Sequence, residues 1–514
     1  MTIDQKSAIA DSALGANDLV EAAGMPVGSG LIKEGYDPRL TNEDLAPLKK
    51  QTWGSYNIFA FWMSDVHSVG GYVTMGTLFA LGLNAWQVFI CLIVGICIVQ
   101  FFCNLVAKPS QQAGVPYPVT SRVSFGVLGA NIPAIIRGLI AVAWYGVQTF
   151  LAAESLNIIF LKLWPSLGPW ADVDQHGFLG LSVLGYVSYA ILWVLQAALF
   201  WRGMDVIRKF IDYAGPAVYV VMVVMCLYML NKVGWSVSLN LSKEQLTGGA
   251  LVAAMFAAVA AVVSYFSGPM LNFGDFSRYA KDFKSIKKGN FLGLPVNFIM
   301  FSLLTVLTAA CTVPLYGELI TDPIVTVQKI DTTFAILLGG ATFVTATIGI
   351  NIVANFISPA FDFSNVSPQK ISWRMGGMIA AFGSVLLTPW NWYANDNAIF
   401  WTLGILGAMI GPLFGILIAD FYIVRKQKIV VDDLFTLDPN GEYHYEKGYN
   451  RAAVYALVVA FVAALLSVMV PKLGHVIEWL SNYSWFIGMG VGFLVYLPFA
   501  KQRNVAGSGE PVKA

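Results

Sequence analysis

The chain has 514 residues, 57% of them hydrophobic and only 12% charged, against roughly 25% charged in an ordinary soluble domain. This composition describes an integral, all-α membrane protein and excludes a soluble one. A net charge of +1 and the lack of any long basic run give no support to a nucleic-acid or acidic partner.

The first 52 residues are polar and mixed in charge, with no basic-then-apolar pattern leading to a small-residue cleavage site, so no cleaved signal peptide is expected. From Lys49-Lys50 onward, apolar stretches long enough to cross a hydrocarbon core about 30 Å thick recur. Twelve are predicted, over 56–83, 85–106, 132–160, 181–200, 211–230, 250–273, 292–315, 334–360, 376–387, 399–423, 452–470 and 479–500. The ninth is short. Cys91, Cys97, Cys103, Cys226 and Cys311 lie in or beside these stretches without metal-ligand spacing and read as small core residues.

With the amino terminus inside, all but five of the 31 basic residues fall toward the tails and even-numbered loops. The exceptions are Lys162, Lys232, Lys243, Lys329 and Lys472. The positive-inside bias therefore puts both termini in the cytoplasm, and the bacterial inner membrane is the expected location.

Two of the stretches carry helix-breaking residues: Val69-Gly70-Gly71 in the first and Ser267-Gly268-Pro269 in the sixth. Matched breaks in two five-helix halves point to a transporter's central site, because unwound backbone survives at membrane depth only against protein or a polar cavity. The halves are expected over 53–230 and 249–424, followed by a loop (425–450), two peripheral helices (451–500) and a tail (501–514).

In the third stretch Trp144 and Gln148 stand one turn apart on one face. An indole is a platform for a planar ring, and a primary amide complements a cyclic amide or ureide; packing and capping are the competing roles. Asn351 and Asn355 repeat the spacing in the eighth stretch, either as ligand contacts or as interhelical glue. Phe266, beside the second break, is a second aromatic candidate or simply packing. Ionisable groups within spans are costly and default to functional hypotheses. Asp65, His67 and Glu154 are candidates to carry a proton, since low dielectric disfavours an ionised carboxylate; capping of a half-helix by Asp65 is the alternative. Asp275, Asp362 and Asp420, at helix ends, read as solvated or salt-bridged.

In order along the chain, Trp62-Met63-Ser64-Asp65-Val66-His67, Val115-Pro116-Tyr117-Pro118-Val119 with Arg122, Trp144-Tyr145-Gly146-Val147-Gln148, Asp275-Phe276-Ser277-Arg278-Tyr279, Asn355-Phe356-Ile357-Ser358-Pro359 and Ala419-Asp420-Phe421-Tyr422 resemble the nucleobase:cation symporter-1 family. The resemblance covers most of the chain, from Trp53 to Leu434. It implies the leucine-transporter-type fold, two inverted five-helix repeats plus two peripheral helices, working by alternating access. It also implies that Trp144 stacks on the substrate, that Gln148 and Asn355 hydrogen-bond it, and that Phe266 is the second aromatic. Asn351 and Gly268 are further substrate-site candidates and Ser64 a further ion-coupling candidate.

Sodium-coupled relatives carry hydroxyl side chains immediately before the first of the two asparagines, where this chain has Gly349-Ile350. Sodium needs oxygen ligands. A proton is therefore the expected coupling ion, with Asp65 the first residue to test, and no cofactor is expected. The reading is a monomeric importer of a small neutral nitrogen heterocycle, uracil or a related pyrimidine first. Allantoin is second, because 62–73 also looks like allantoin permeases; hydantoin and cytosine stay open. A membrane-embedded enzyme is disfavoured by four dispersed histidines, and an uncoupled facilitator is the rival of another class.

Overall fold

The computed structural model describes residues 30–67, 69–241, 246–392, 396–474 and 478–500. The parts of the expected tails at 1–29 and 501–514, and Lys243, lie outside the described residues. Ten helices among the described residues are long and apolar enough to cross a membrane. The first predicted crossing is instead a pair of short helices, and the ninth is a helix of 14 residues.

In chain order these are α1 (Ser55–Val66), α2 (Val69–Thr77), α3 (Ala85–Ala113), α4 (Asn131–Leu163), α5 (Val183–Trp201), α6 (Met204–Lys232), α7 (Gly248–Leu271), α8 (Phe283–Tyr316), α9 (Thr333–Val366), α10 (Trp373–Leu386), α11 (Ala398–Val424), α12 (Arg451–Gly474) and α13 (Ser484–Phe499). Short polar signals start them. Asn84 and Gln87 form a capping box at α3, Ser182 caps α5 and Ser372 caps α10, each satisfying amides that would otherwise be orphaned. α4 is largely buried and packs against α9, α5 and α10, whereas α12 and α13 keep most of their apolar surface outward. The centre of the bundle is thus α4 and α9, with α1, α2 and α7 closing around them.

Both expected breaks are displaced by about one turn. α1 ends at Val66 and the chain departs from helix at His67, while Gly70 and Gly71 lie inside α2. Gly70 serves a close approach rather than a break, because a Cβ there would stand 2.6 Å from Gln148 Nε2. Ser267, Gly268 and Pro269 stay helical. α7 runs on to Leu271, and the interruption falls at Asn272-Phe273, before the short turn Gly274–Ser277. The Ser267 hydroxyl donates to the Ser264 carbonyl at 2.6 Å, a local compensation for backbone near the proline.

Residues 30–53, expected to form the end of a free polar tail, are packed against the bundle. Leu40, Leu45 and Ala46 are buried. The Arg278 guanidinium donates to the carbonyls of Asp44 and Ala46, both at 2.7 Å, and Arg122 donates to Leu40 O and Leu434 O, both at 2.8 Å, and to Asn365 Oδ1 at 2.6 Å. Tyr36 stacks on Phe435 with centroids 4.6 Å apart. Of the cysteines, Cys97 is exposed and the other four are buried.

α11 meets α13 through glycines four apart. A Cβ at Gly411 or Gly415 would collide with the main chain of Trp485 or Met489, and Gly488 and Gly492 receive Pro412 in return. Small residues at this spacing let two membrane helices approach backbone to backbone. Gly415→Leu is expected to lower stability by about 1–3 kcal/mol through overpacking, read as thermal unfolding in detergent. Gly490→Leu, where the added side chain enters open space, should leave the transition where it is.

Candidate functional site

α4 presents Arg137, Trp144 and Gln148 at intervals of seven and four residues, so the three share one face. Trp144 meets the ring of Tyr265 edge-on, with centroids 5.5 Å apart at 85°. The Gln148 amide donates to Tyr265 Oη at 3.4 Å, while its Oε1 is buried without a hydrogen-bond partner. A buried carbonyl oxygen without a donor is a rare state that calls for an explanation.

Asn351 and Asn355 lie in a π-helical stretch of α9, Asn351–Ile357, a local widening common at functional sites. Their roles differ. The Asn351 amide nitrogen donates to Tyr145 O at 3.2 Å, Thr149 Oγ1 at 3.0 Å and Gln196 Oε1 at 2.8 Å, and its oxygen accepts from Asn355 Nδ2 at 2.9 Å. Asn351 therefore ties α9 to α4 and α5 and orients Asn355, and its hydrogen-bonding capacity is taken up by protein.

Phe266 is fully buried and meets Tyr265 and Phe298 edge-on. The ring of α7 that meets Trp144 belongs to its neighbour Tyr265, which sequence reasoning passed over. Gly268 faces Arg137, and a Cβ there would lie 3.6 Å from its Nη2.

The ion candidates separate. Asp65 is buried at the end of α1, with Oδ1 lacking a hydrogen-bond partner and with the Arg137 charge acting on it. His67 is packed between the rings of Tyr219 and Phe301, with centroids 5.0 and 5.1 Å away. Ser64 Oγ lies 3.4 Å from Ile211 O, which accepts from it. Glu154 accepts from Asn157 Nδ2 at 3.3 Å, and Asn157 in turn accepts from Ser188 at 2.6 Å, so it belongs to a separate polar group joining α4 and α5. Gly349 faces the Ser64 carbonyl, where a Cβ would stand 3.8 Å from that oxygen; neither Gly349 nor Ile350 brings a side-chain oxygen.

The helix-end carboxylates are not solvated. Asp275, Asp362 and Asp420 are completely buried. Asp420 pairs with Arg425 at 3.4 Å and accepts from Tyr496 at 2.7 Å and Ser124 at 3.0 Å. Asp275 accepts the Tyr117 amide at 2.8 Å and Asn272 Nδ2 at 3.3 Å. Asp362 has no hydrogen-bond donor on either oxygen. Arg137, which sequence reasoning did not single out, sits inside α4 and donates to Asn272 Oδ1 and Ala354 O, both at 3.1 Å. An arginine two turns into an apolar span was the available signal for it.

A bundle of membrane-length helices, its first crossing interrupted beside a buried aromatic and carboxamide site, defines a multi-pass membrane permease. The chain belongs to the family of permeases for cytosine and purines, uracil, thiamine and allantoin, whose model matches residues 46–488. It is 33% identical over 463 residues to the allantoin permease of Bacillus subtilis (strain 168), covering 89% of this chain and 93% of that one. It is 32% identical over 505 residues to the purine-uracil permease NCS1 of Arabidopsis thaliana, covering 94% and 82%. Among solved structures, that of Mhp1, a nucleobase-cation-symport-1 family transporter in a closed conformation with bromovinylhydantoin bound, matches with a TM-score of 0.72 at 22% identity, over 90% of this chain and 95% of that one. The fold is that of this transporter group, as the sequence motifs implied.

Two substitutions separate site from scaffold. Asn351→Ala strands buried partners on α4 and α5 and is expected to cost about 1–3 kcal/mol of stability, seen as a lower unfolding temperature in detergent. Tyr265→Phe removes one hydrogen bond to Gln148 and should weaken substrate binding about three- to tenfold without moving the unfolding temperature.

Proposed function

We propose that the chain imports a small neutral nitrogen heterocycle by proton symport and alternating access, with uracil or a related pyrimidine as first substrate. The observation that carries this reading is the buried, unpartnered Gln148 Oε1, one turn from Trp144 on the same face of α4. Trp144 stacks on the substrate ring, Gln148 accepts a ring N–H and donates to a carbonyl, and Asn355, aimed by Asn351, serves a second amide edge. A site built of such groups rejects analogues that leave its buried polar atoms unpaired. Allantoin is the second reading, and the likeness to the Bacillus subtilis allantoin permease favours it specifically. It offers the same alternation of C=O and N–H.

Proton coupling is supported by the lack of side-chain oxygens at Gly349-Ile350 together with carboxylates buried close by. The two five-helix halves, 53–230 and 249–424, are taken as the repeats that rock about the site, with 451–500 peripheral. The protein acts as a monomer in the inner membrane with both termini cytoplasmic, the arrangement that the basic residues favour.

Cells lacking their own permeases and expressing this chain should take up labelled uracil, competed by excess allantoin, in a manner abolished by a protonophore and indifferent to sodium. Uptake of allantoin without uracil would move the substrate to the ureide. Sodium dependence would overturn the proton reading, and uptake unaffected by both would indicate a facilitator. Trp144→Ala and Gln148→Ala should each reduce uptake at least about a hundredfold, as expected when a site's principal contacts are lost, with membrane levels unchanged.

A further inference from the structure

Arg137 is the guanidinium at the centre of the bundle, and more than one carboxylate faces it. The charges of Asp362 on α9, two turns beyond Asn355, of Asp275 in the turn after α7 and of Asp65 on α1 act on it, though none of the three forms an ion pair with it among the described residues. Asp275 also has the Arg278 charge on its far side. Even with both arginines counted, one carboxylate is left without a compensating charge. The other groups around this centre are neutral: Asn272, Ser358 and Tyr117, whose buried hydroxyl lacks a hydrogen-bond partner. Ionised groups in a region without water need a counter-charge or donors.

Hydrogen bonding separates the three carboxylates. Asp275 is held by Tyr117 N–H and Asn272 Nδ2, whereas Asp362 is wholly buried with both oxygens bare, and its neighbour Phe363 packs on α4 at Gly138, next to Arg137, whose Nη1 is also unpartnered. We propose that Asp362 holds the proton that accompanies substrate, and that Arg137 reports its presence to the substrate amides. The inference deepens the proton-symport reading above and rests on it.

The linkage is in the contacts of Arg137. Its Nη2 donates to Ala354 O, inside the π-helical stretch and adjacent to Asn355, and its Nε donates to Asn272, which ends α7 and also donates to Asp275 and to Ser358 Oγ. With Asp362 neutral, Arg137 keeps these bonds and the Asn355 backbone is fixed. When the proton leaves, the new carboxylate competes for the guanidinium, drawing it from Ala354 and loosening both the π-helical stretch and the end of α7. The proton binds the free carboxylate from one side of the membrane and leaves from the other, with no covalent change besides that O–H bond. By reciprocity, substrate that binds better with the proton present also raises proton binding.

The test uses the full chain reconstituted in vesicles that contain a pH-sensitive dye, with labelled uracil and, in parallel, labelled allantoin as probes. Wild type should acidify the lumen as substrate enters and accumulate substrate down an imposed pH gradient. Asp362→Asn should lose substrate-dependent acidification, reduce accumulation at least about tenfold, and bind substrate in detergent with no dependence on pH. Asp362→Glu, which keeps a carboxyl group at a changed distance from Arg137, should retain coupling with a displaced pH profile. Acidification by Asp362→Asn at the wild-type ratio to substrate would overturn the assignment, as would a Glu variant whose profile superimposes on wild type. Loss of acidification in Asp65→Asn with its retention in Asp362→Asn would transfer the proton to Asp65. Wild-type transport without acidification would instead remove the proton-symport reading, an outcome distinct from failure of Asp362 alone.

Discussion

Inside a bilayer a polar group has only protein to bond with, and the architecture follows from how that requirement is met between α4 and α9. Asn351 meets it fully. Its amide joins three helices through donors to Tyr145, Thr149 and Gln196 and through the acceptor that holds Asn355. Because those bonds are completed by protein, the groups left incomplete become informative. Gln148 Oε1 on α4 and both oxygens of Asp362 on α9 are among the buried atoms left without a partner, as are Asp65 Oδ1 and Arg137 Nη1. These open groups are what the proposed heterocycle and proton would complete.

Much of this was legible in the sequence, because hydrophobic length reports directly on membrane crossings and α4 and α9 announce their inner faces by polar pairs one turn apart. Ten of the twelve spans therefore needed no coordinates, nor did the one-turn spacing within the pairs Trp144/Gln148 and Asn351/Asn355. The breaks were read one turn away from where they fall. A glycine pair can mark an unwound backbone or a close approach, and only the neighbour distinguishes them; at Gly70 the neighbour is the Gln148 amide. Pro269 likewise removes one amide without ending α7, which stops two residues later at Leu271.

The residues missed are those whose meaning depends on partners far away in sequence. Tyr265 rather than Phe266 meets Trp144 because adjacent residues on a helix point about 100° apart, and spacing from a single helix cannot choose between them. Arg137, inside the predicted span 132–160, drew no reading from the sequence, and Asp362 read as a solvated or salt-bridged acid at a helix end. That reading used local sequence alone. The burial that changes their chemistry comes from α1, α7 and the turn after it, all distant in the chain.

The segment 30–53 carries a consequence for how this protein can vary. Arg122 and Arg278 grip it through the carbonyls of Leu40, Asp44 and Ala46 rather than through side chains. Every residue type supplies a carbonyl, so these bonds make no demand on side chains, and the demands fall elsewhere along the segment, on the buried Leu40 and Leu45, on Tyr36 against Phe435 and on Asn42 against Ser364. A change of side chain at Asp44 or Ala46 would leave the grip of Arg278 in place, whereas loss of Arg278 would release both carbonyls at once. Recognition through carbonyls leaves its record in the receptor rather than in the residues it holds.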